Sequence, residues 1–263
     1  MKYDPTKAEV WDRFWTEKMD LDVYPPITDI ASEIAQVVPD VKGLKVIEIG
    51  AGTGRTSIEL ARRGAHVTIL DISEQSLELA RKFARKTDSS TRKRISYILA
   101  DALSPGLQPE SFDILFHQGL LEHFRSPYPL LDANNRLLKP GGLIVVDVPQ
   151  TYHIYTILKQ AQILMGKWFA GWERQFTPAS LSRALKVSGF IPIASYGDWP
   201  RPGLAYRAFR IVLKKIGISL PMFPKMSVDS VFSRLDEYLR RKKLFHWTVM
   251  SYGLIARKIS FCK

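Results

Sequence analysis

The stretch Glu48-Ile-Gly50-Ala51-Gly52-Thr-Gly54 sets a carboxylate and three alternating glycines directly after an apolar run, Leu44 to Ile49. Glycines so spaced allow positive φ and leave no Cβ between the backbone and a ligand. The dinucleotide fingerprint G-x-G-x-x-G would need glycine at position 55, where this chain has Arg55. An acid beside the loop repels a pyrophosphate and suits a ligand with a positive end. A second carboxylate, Asp71, stands about 20 residues beyond the loop, where a strand-end acid can accept hydrogen bonds from both hydroxyls of a ribose. Its other use, capping the next helix, is better served by Ser73. His117, His123 and His153 are candidates for a general base, because an imidazole titrates near neutral pH. His123 is the first choice among them, and a histidine that caps a helix or binds the ligand through its neighbours is the alternative. No cluster with metal-ligand spacing is present, and Cys262 is the only cysteine.

These groups need a frame to hold them. Leu44 to Ile49 reads as a buried strand, followed by a glycine turn and a helix from about Thr56 to Arg63, stopped by Gly64. The helix points its free N–H groups back at the turn. His66 to Asp71 is a second strand, Ser73 to Lys86 a helix, and a solvated basic loop leads to a third strand, Ile95 to Leu99. Phe112 to Phe116 is a fourth strand. Ser126 to Leu138 is a helix with Pro127 in its first turn. Lys139 to Gly142 is a tight turn before a fifth strand, Leu143 to Val148. Thr177 caps a helix running to Val187, and Ile191 to Tyr196 and Trp247 to Ala256 complete the strands. Near the N-terminus, Trp11, Phe14 and Trp15 share one helical face, and a helix over Ile27 to Val38 follows Pro25-Pro26.

On the run Val46-Ile-Glu-Ile-Gly-Ala-Gly-Thr-Gly54, the chain resembles the class I S-adenosylmethionine-dependent methyltransferases. Three more landmarks follow in the family's order: the strand-end Asp71, Ala100-Asp101-Ala102, and Leu137-Leu-Lys-Pro-Gly-Gly142 before an apolar strand. Leu121-Glu-His123 resembles the segment that small-molecule and quinone-pathway methyltransferases carry after the fourth strand. The resemblance implies a Rossmann-like α/β/α sandwich of three layers. Its seven-stranded, mostly parallel sheet has the order 3-2-1-4-5-7-6. It also implies S-adenosylmethionine as cofactor, with Glu48, Gly50, Ala51, Gly52 and Gly54 around its amino-acid end and Asp71 on the ribose. Asp101 would take the adenine amino group, Ala102 and Ile72 would cover the ring, and Gln118 and His123 would lie near the reaction centre.

The expected domain division is 1–40, N-terminal helices closing over the cofactor; 41–200 with 245–263, the methyltransferase core; and 201–244, a basic helical cap. Within the core, 152–172 is an apolar insertion whose only full charges are Lys159 and Lys167, with apolar residues most of the way round a helix, which implies burial or contact with something apolar. The net charge is +12. Residues 201–243 hold 11 Lys/Arg against 3 Asp/Glu, and residues 81–94 hold 7 against Asp88 alone. Such a balance favours an anionic partner. No leader is evident at the N-terminus and no run is apolar enough to span a membrane, so a cytoplasmic protein is expected, with the basic cap either merely solvated or in peripheral contact with anionic membrane.

The reading is methyl transfer to a small or lipid-like acceptor, at oxygen or carbon ahead of nitrogen. A nucleic-acid substrate held by the basic cap is the alternative, and a cofactor-binding scaffold without turnover is another. His117-Gln-Gly-Leu after the fourth strand differs from the Asn/Asp-Pro-Pro-Tyr motif of enzymes that methylate base amino groups.

Overall fold

The computed structural model describes residues 6–17, 29–199, 212–214, 217–220 and 246–260. In chain order its elements are α1 (Ala8–Thr16), α2 (Ile30–Val37), β1 (Lys45–Ile49), α3 (Arg55–Arg62), β2 (His66–Asp71), α4 (Glu74–Arg85), α5 (Ser89–Arg92), β3 (Ile95–Leu99), β4 (Phe112–Gln118), α6 (Tyr128–Leu137), β5 (Leu138–Pro149), α7 (Ile154–Leu164), α8 (Pro178–Val187), β6 (Phe190–Asp198) and β7 (Ser251–Lys258). A 3-10 turn, Leu121–His123, lies between β4 and α6.

The strands form one seven-stranded sheet in the order β3-β2-β1-β4-β5-β7-β6, as expected. β1 pairs in parallel with β2 and β4, while β7 is antiparallel to both β5 and β6. Val46, Ile47 and Ile49 are fully buried because helices cover both faces of a parallel sheet, and such strands read as continuous apolar runs. One core cluster joins Ile47, Leu115, Ile144 and Leu181 on one face. The other joins Val46, Ile69, Ile58 and Leu77 on the opposite face. The chain leaves β1 outward to β2 and β3, then returns to β4 on the other side of β1. The loops after β1 and β4 therefore open on one crevice, the position where open α/β sheets bind ligands.

Helix starts follow local chemistry. Ser73 caps α4 by accepting the Ser76 N–H at 3.2 Å, and Thr177 and Ser180 form a capping box around Pro178. The basic stretch after α4 departs from expectation. Asp88 accepts from Ser90 Oγ (2.5 Å), Thr91 Oγ1 (2.6 Å) and the Thr91 N–H (2.9 Å), so it nucleates α5 where a loop was expected. The Lys139–Gly142 turn is absorbed into β5: Phe112 pairs with Leu138, Ile114 with Leu143, and the intervening residues bulge with Gly141 at φ +73.

The apolar segment, read as buried or in contact with something apolar, leaves much of its apolar surface exposed. In α7 the buried residues are Thr156 and Lys159, while Ile154, Ile157 and Leu158 are each more than half exposed. The basic cap expected over 201–244 lies outside the described residues except at 212–214 and 217–220.

Candidate active site

A cavity of about 440 Å³ opens at the C-terminal ends of β1, β2, β3 and β4. Its floor is the glycine loop. Gly52 has φ +54, and a Cβ there would fall 2.7 Å from the Trp15 ring, so the position excludes any side chain both by backbone conformation and by space. Glu48, Gly50, Ala51, Gly52, Asp71, Ile72, Asp101, Ala102, Gln118 and His123 all line this cavity. Gly54 does not. It starts α3 at φ +61, and a Cβ there would meet Ile69 Cδ1 at 2.9 Å and Ala80 Cβ at 3.0 Å. Its missing side chain lets α3 and α4 pack tightly on β2.

Two carboxylates flank the loop in different states of satisfaction. Asp71 is 5% exposed and braces the turn. Its Oδ2 accepts the Gly52 N–H at 3.1 Å and lies 2.7 Å from Ser76 Oγ, and its Oδ1 accepts the Ser73 N–H at 3.0 Å. Burial still pushes its carboxyl above the ordinary value, against those hydrogen bonds. Glu48 is equally buried, but its Oε2 has no hydrogen-bond partner in the protein. Burial pushes its carboxyl up to about 7, with Ser57 and Arg55 acting in the opposite sense. A buried acid with an idle oxygen at a glycine-lined cavity fits a ligand that carries a cationic group. The cavity size is within the ordinary range for small-molecule sites, roughly 300–1,000 Å³. At the far side, Asp101 is exposed and accepts the Leu103 N–H at 2.8 Å, next to the buried Ala102.

The histidines separate. His117 is fully buried in β4 with neither ring nitrogen hydrogen-bonded, does not line the cavity, and is pushed down to about 3 by burial. His153 caps α7, its Nδ1 accepting the Tyr155 N–H at 3.2 Å. His123 alone of the three reaches the cavity, carried there by the 3-10 turn after β4. Its ring meets Trp11 edge-on with centroids 4.8 Å apart. Burial holds the imidazole down to about 4, so it is neutral at pH 7 and a weaker base than a solvated histidine. Gln118 is held from β5, with Nε2 3.4 Å from Asp147 Oδ1.

The roof comes from α1 and from the segment between α7 and α8. Trp11, Phe14 and Trp15 of α1 line the cavity, and Asp12 accepts Ser73 Oγ at 2.6 Å, tying α1 to the start of α4. Phe169 stacks on Phe14 with centroids 4.4 Å apart. Phe169 and Glu173 were not anticipated as site residues. The available signal was Lys159, a lone charge in an apolar helix, with Glu173 the only acid between Asp147 and Asp198. Among the described residues no group of His, Cys, Asp and Glu is arranged to hold a metal.

Comparison with known proteins agrees with this geometry. Residues 47–146 match the family model for a methyltransferase domain. The ubiquinone biosynthesis O-methyltransferase of Roseobacter denitrificans is 32% identical over 162 residues, which is 59% of this chain and 63% of that one; the match thus spans just under two thirds of the relative's length. Among solved structures, the Haemonchus contortus phosphoethanolamine N-methyltransferase 2, in complex with phosphomonomethylethanolamine and S-adenosylhomocysteine, superposes with a TM-score of 0.66. It is 19% identical, covering 97% of this chain and 60% of that one. The [4+2]-cyclase SpnF superposes with a TM-score of 0.60 at 17% identity, covering 88% and 81%, so these likenesses speak for the fold alone. The chain thus carries, over residues 47–146, a segment that matches a methyltransferase domain, and it is similar in sequence to the ubiquinone-biosynthesis O-methyltransferases.

Proposed function

We propose that this chain methylates a hydroxyl group of a small, lipid-like aromatic acceptor of the quinone-precursor kind. The observation that carries the reading is His123: a neutral imidazole lining the same cavity as the glycine loop and Glu48, under an aromatic roof. S-adenosylmethionine supplies an electrophilic methyl group on a sulfonium, with a neutral thioether as leaving group. The protein has to align an acceptor oxygen, exclude water and accept one proton, and proximity supplies much of the rate. In this reading Glu48 faces the cationic amino end of the cofactor, Asp71 takes the ribose, and Asp101 takes the adenine amino group. Ala102 and Ile72 pack on the adenine ring. Gly50, Ala51 and Gly52 let the backbone approach, and Gln118 borders the reacting end. Residues 1–40 act as the cover, residues 41–200 and 245–263 as the core, and residues 201–244 as the basic cap.

The relatives' name, ubiquinone biosynthesis O-methyltransferase, supports an apolar-tailed aromatic acceptor. An acceptor of that kind resides in membranes. We extend the reading to a cytoplasmic protein in peripheral contact with anionic membrane, supported by the exposed apolar side chains of α7 and the net charge of +12. Among the described residues no helix is long and apolar enough to cross a membrane.

The test is incubation of the protein with methyl-labelled S-adenosylmethionine and a prenylated catechol, with total RNA and an amine acceptor as separate arms. Label in the catechol's methyl ether supports the proposal. Label only in RNA or in the amine, or label in no arm from protein that binds S-adenosylhomocysteine, overturns it.

A further inference from the structure

Lys159 and Glu173 lie outside the core motifs, on the segment between β5 and α8, yet their side chains form an ion pair that is only 4% exposed on each side. Withdrawing two charges from water costs several kcal/mol per ion and persists where geometry and further hydrogen bonds offset it. Both are present. Glu173 Oε2 accepts from Lys159 Nζ, Glu173 Oε1 accepts the Trp168 Nε1–H at 2.8 Å, and Lys159 Nζ lies 5.5 Å from the centre of the Trp168 ring. The carboxylate is thus fixed at both oxygens. The Arg174 N–H donates to the Glu122 carbonyl at 2.7 Å, which fastens this segment to the turn that carries His123, and Glu173 and His123 line the same cavity.

We infer that Glu173 is a positioning residue for proton transfer at His123: clamped by Lys159 and Trp168, it supplies the negative field that lets the imidazole take a proton in the cavity the two residues share. The inference rests on the hydroxyl-methylation reading. In that step the acceptor's O–H proton passes to the His123 ring as its oxygen bonds the methyl carbon. The C–S bond breaks with its electron pair left on sulfur, so one positive charge moves from sulfonium to imidazolium. Glu173 is the counter-charge to that imidazolium. The groups facing His123 have opposed effects: burial and Lys159 lower its proton affinity, and Glu173 raises it. Glu122, on the same turn, is pushed up by burial and by Glu173. From α1 the facing ring is Trp11, with Lys7 at the cavity wall.

The test is an NMR titration of the His123 imidazole in the cofactor-free protein, run on the parent, Glu173→Gln and Glu173→Asp. Glu173→Gln is expected to lower the His123 midpoint by about one pH unit, and Glu173→Asp to leave it near the parent's. The pH–rate profile for the catechol acceptor should show its acidic limb displaced the same way, with kcat down about tenfold and KM for S-adenosylmethionine within twofold. An unmoved His123 midpoint in Glu173→Gln overturns the inference whatever the enzyme methylates. So does a midpoint that moves equally in Glu173→Asp, since packing and not charge would then be responsible. Loss of the underlying reading is seen separately, in the parent protein, as cofactor binding without methylation of any hydroxyl acceptor.

Discussion

The Trp15 ring stands where a side chain on Gly52 would have to go, with Trp15 Cζ2 2.7 Å from the position of a Cβ at Gly52. Helix α1 and the glycine loop are therefore fitted to each other, and the cover over the cavity depends on the bareness of its floor. Gly52→Ala adds that clash to a left-handed φ that costs an alanine roughly 1–2 kcal/mol. Its affinity for S-adenosylhomocysteine should fall at least about tenfold by calorimetry. A folded Gly52→Ala protein with the parent's affinity would mean that α1 moves away freely.

Asp71 braces the loop, beside the ribose role proposed for it. Removing its carboxylate frees the Gly52 and Ser73 N–H groups, both now hydrogen-bonded to it. Asp71→Ala should lower stability by about 1–3 kcal/mol as well as weaken cofactor binding. A melting curve and a titration on the same sample separate the two effects. Unchanged affinity in the folded variant would remove Asp71 from the ribose site.

The order of the strands and the position of the cavity were legible in the sequence because they rest on short-range signals. The alternating glycines after an apolar run, the strand-end Asp71 and the Pro-Gly-Gly before β5 each act within a few residues of themselves. Gly54 was legible as a loop glycine but not in its use, since the contact it serves is with Ile69 and Ala80, side chains that only the folded packing brings to it. The composition of α7 does not say which face the helix buries. Besides Thr156 it turns the cation Lys159 inward, because Glu173 and Trp168 wait for it 14 and 9 positions later, a pairing that periodicity within the helix does not record.

Glu48 should make cofactor binding release protons. With its carboxyl near 7 in the free protein, it is about half protonated at pH 7. A cationic group near its idle Oε2 lowers that value and expels the proton. Calorimetry of S-adenosylhomocysteine binding in buffers of different ionisation enthalpy should show release of about half a proton at pH 7, and none in Glu48→Gln. The same group acts on folding with a definite sign. Its folded value lies above the ordinary 4.5, so the stability it contributes is complete at lower pH and is lost as pH rises from about 4.5 through 7. In Glu48→Gln that loss should disappear.

Breaking the buried ion pair from one side should be severe. Lys159→Met leaves the Glu173 carboxylate enclosed with Trp168 as its remaining partner, a change worth about 3–5 kcal/mol of destabilisation. In a chain of this size that is a fall in Tm of roughly 6–20 °C. The double variant Lys159→Met with Glu173→Leu removes both charges and should recover most of the loss. If the single variant melts with the parent, the pair is not closed to water.

The exposed side of α7 should matter only when a bilayer is present. Ile154, Ile157 and Leu158 are 52%, 53% and 58% exposed, and α7 buries Thr156 and Lys159 in their stead. Returning about half of each apolar side chain to a lipid surface is worth roughly 1 kcal/mol apiece. Replacing the three together by serine should weaken binding to anionic vesicles about a hundredfold in a sedimentation assay. Because none of the three is in the core, Tm should change by less than about 3 °C. Turnover of a short, water-soluble acceptor should also be unchanged, while turnover of a long-tailed acceptor presented in vesicles should fall. If both acceptors are affected equally, α7 acts on the cavity and not on the membrane; if vesicle binding survives the triple replacement, the basic surface alone carries it.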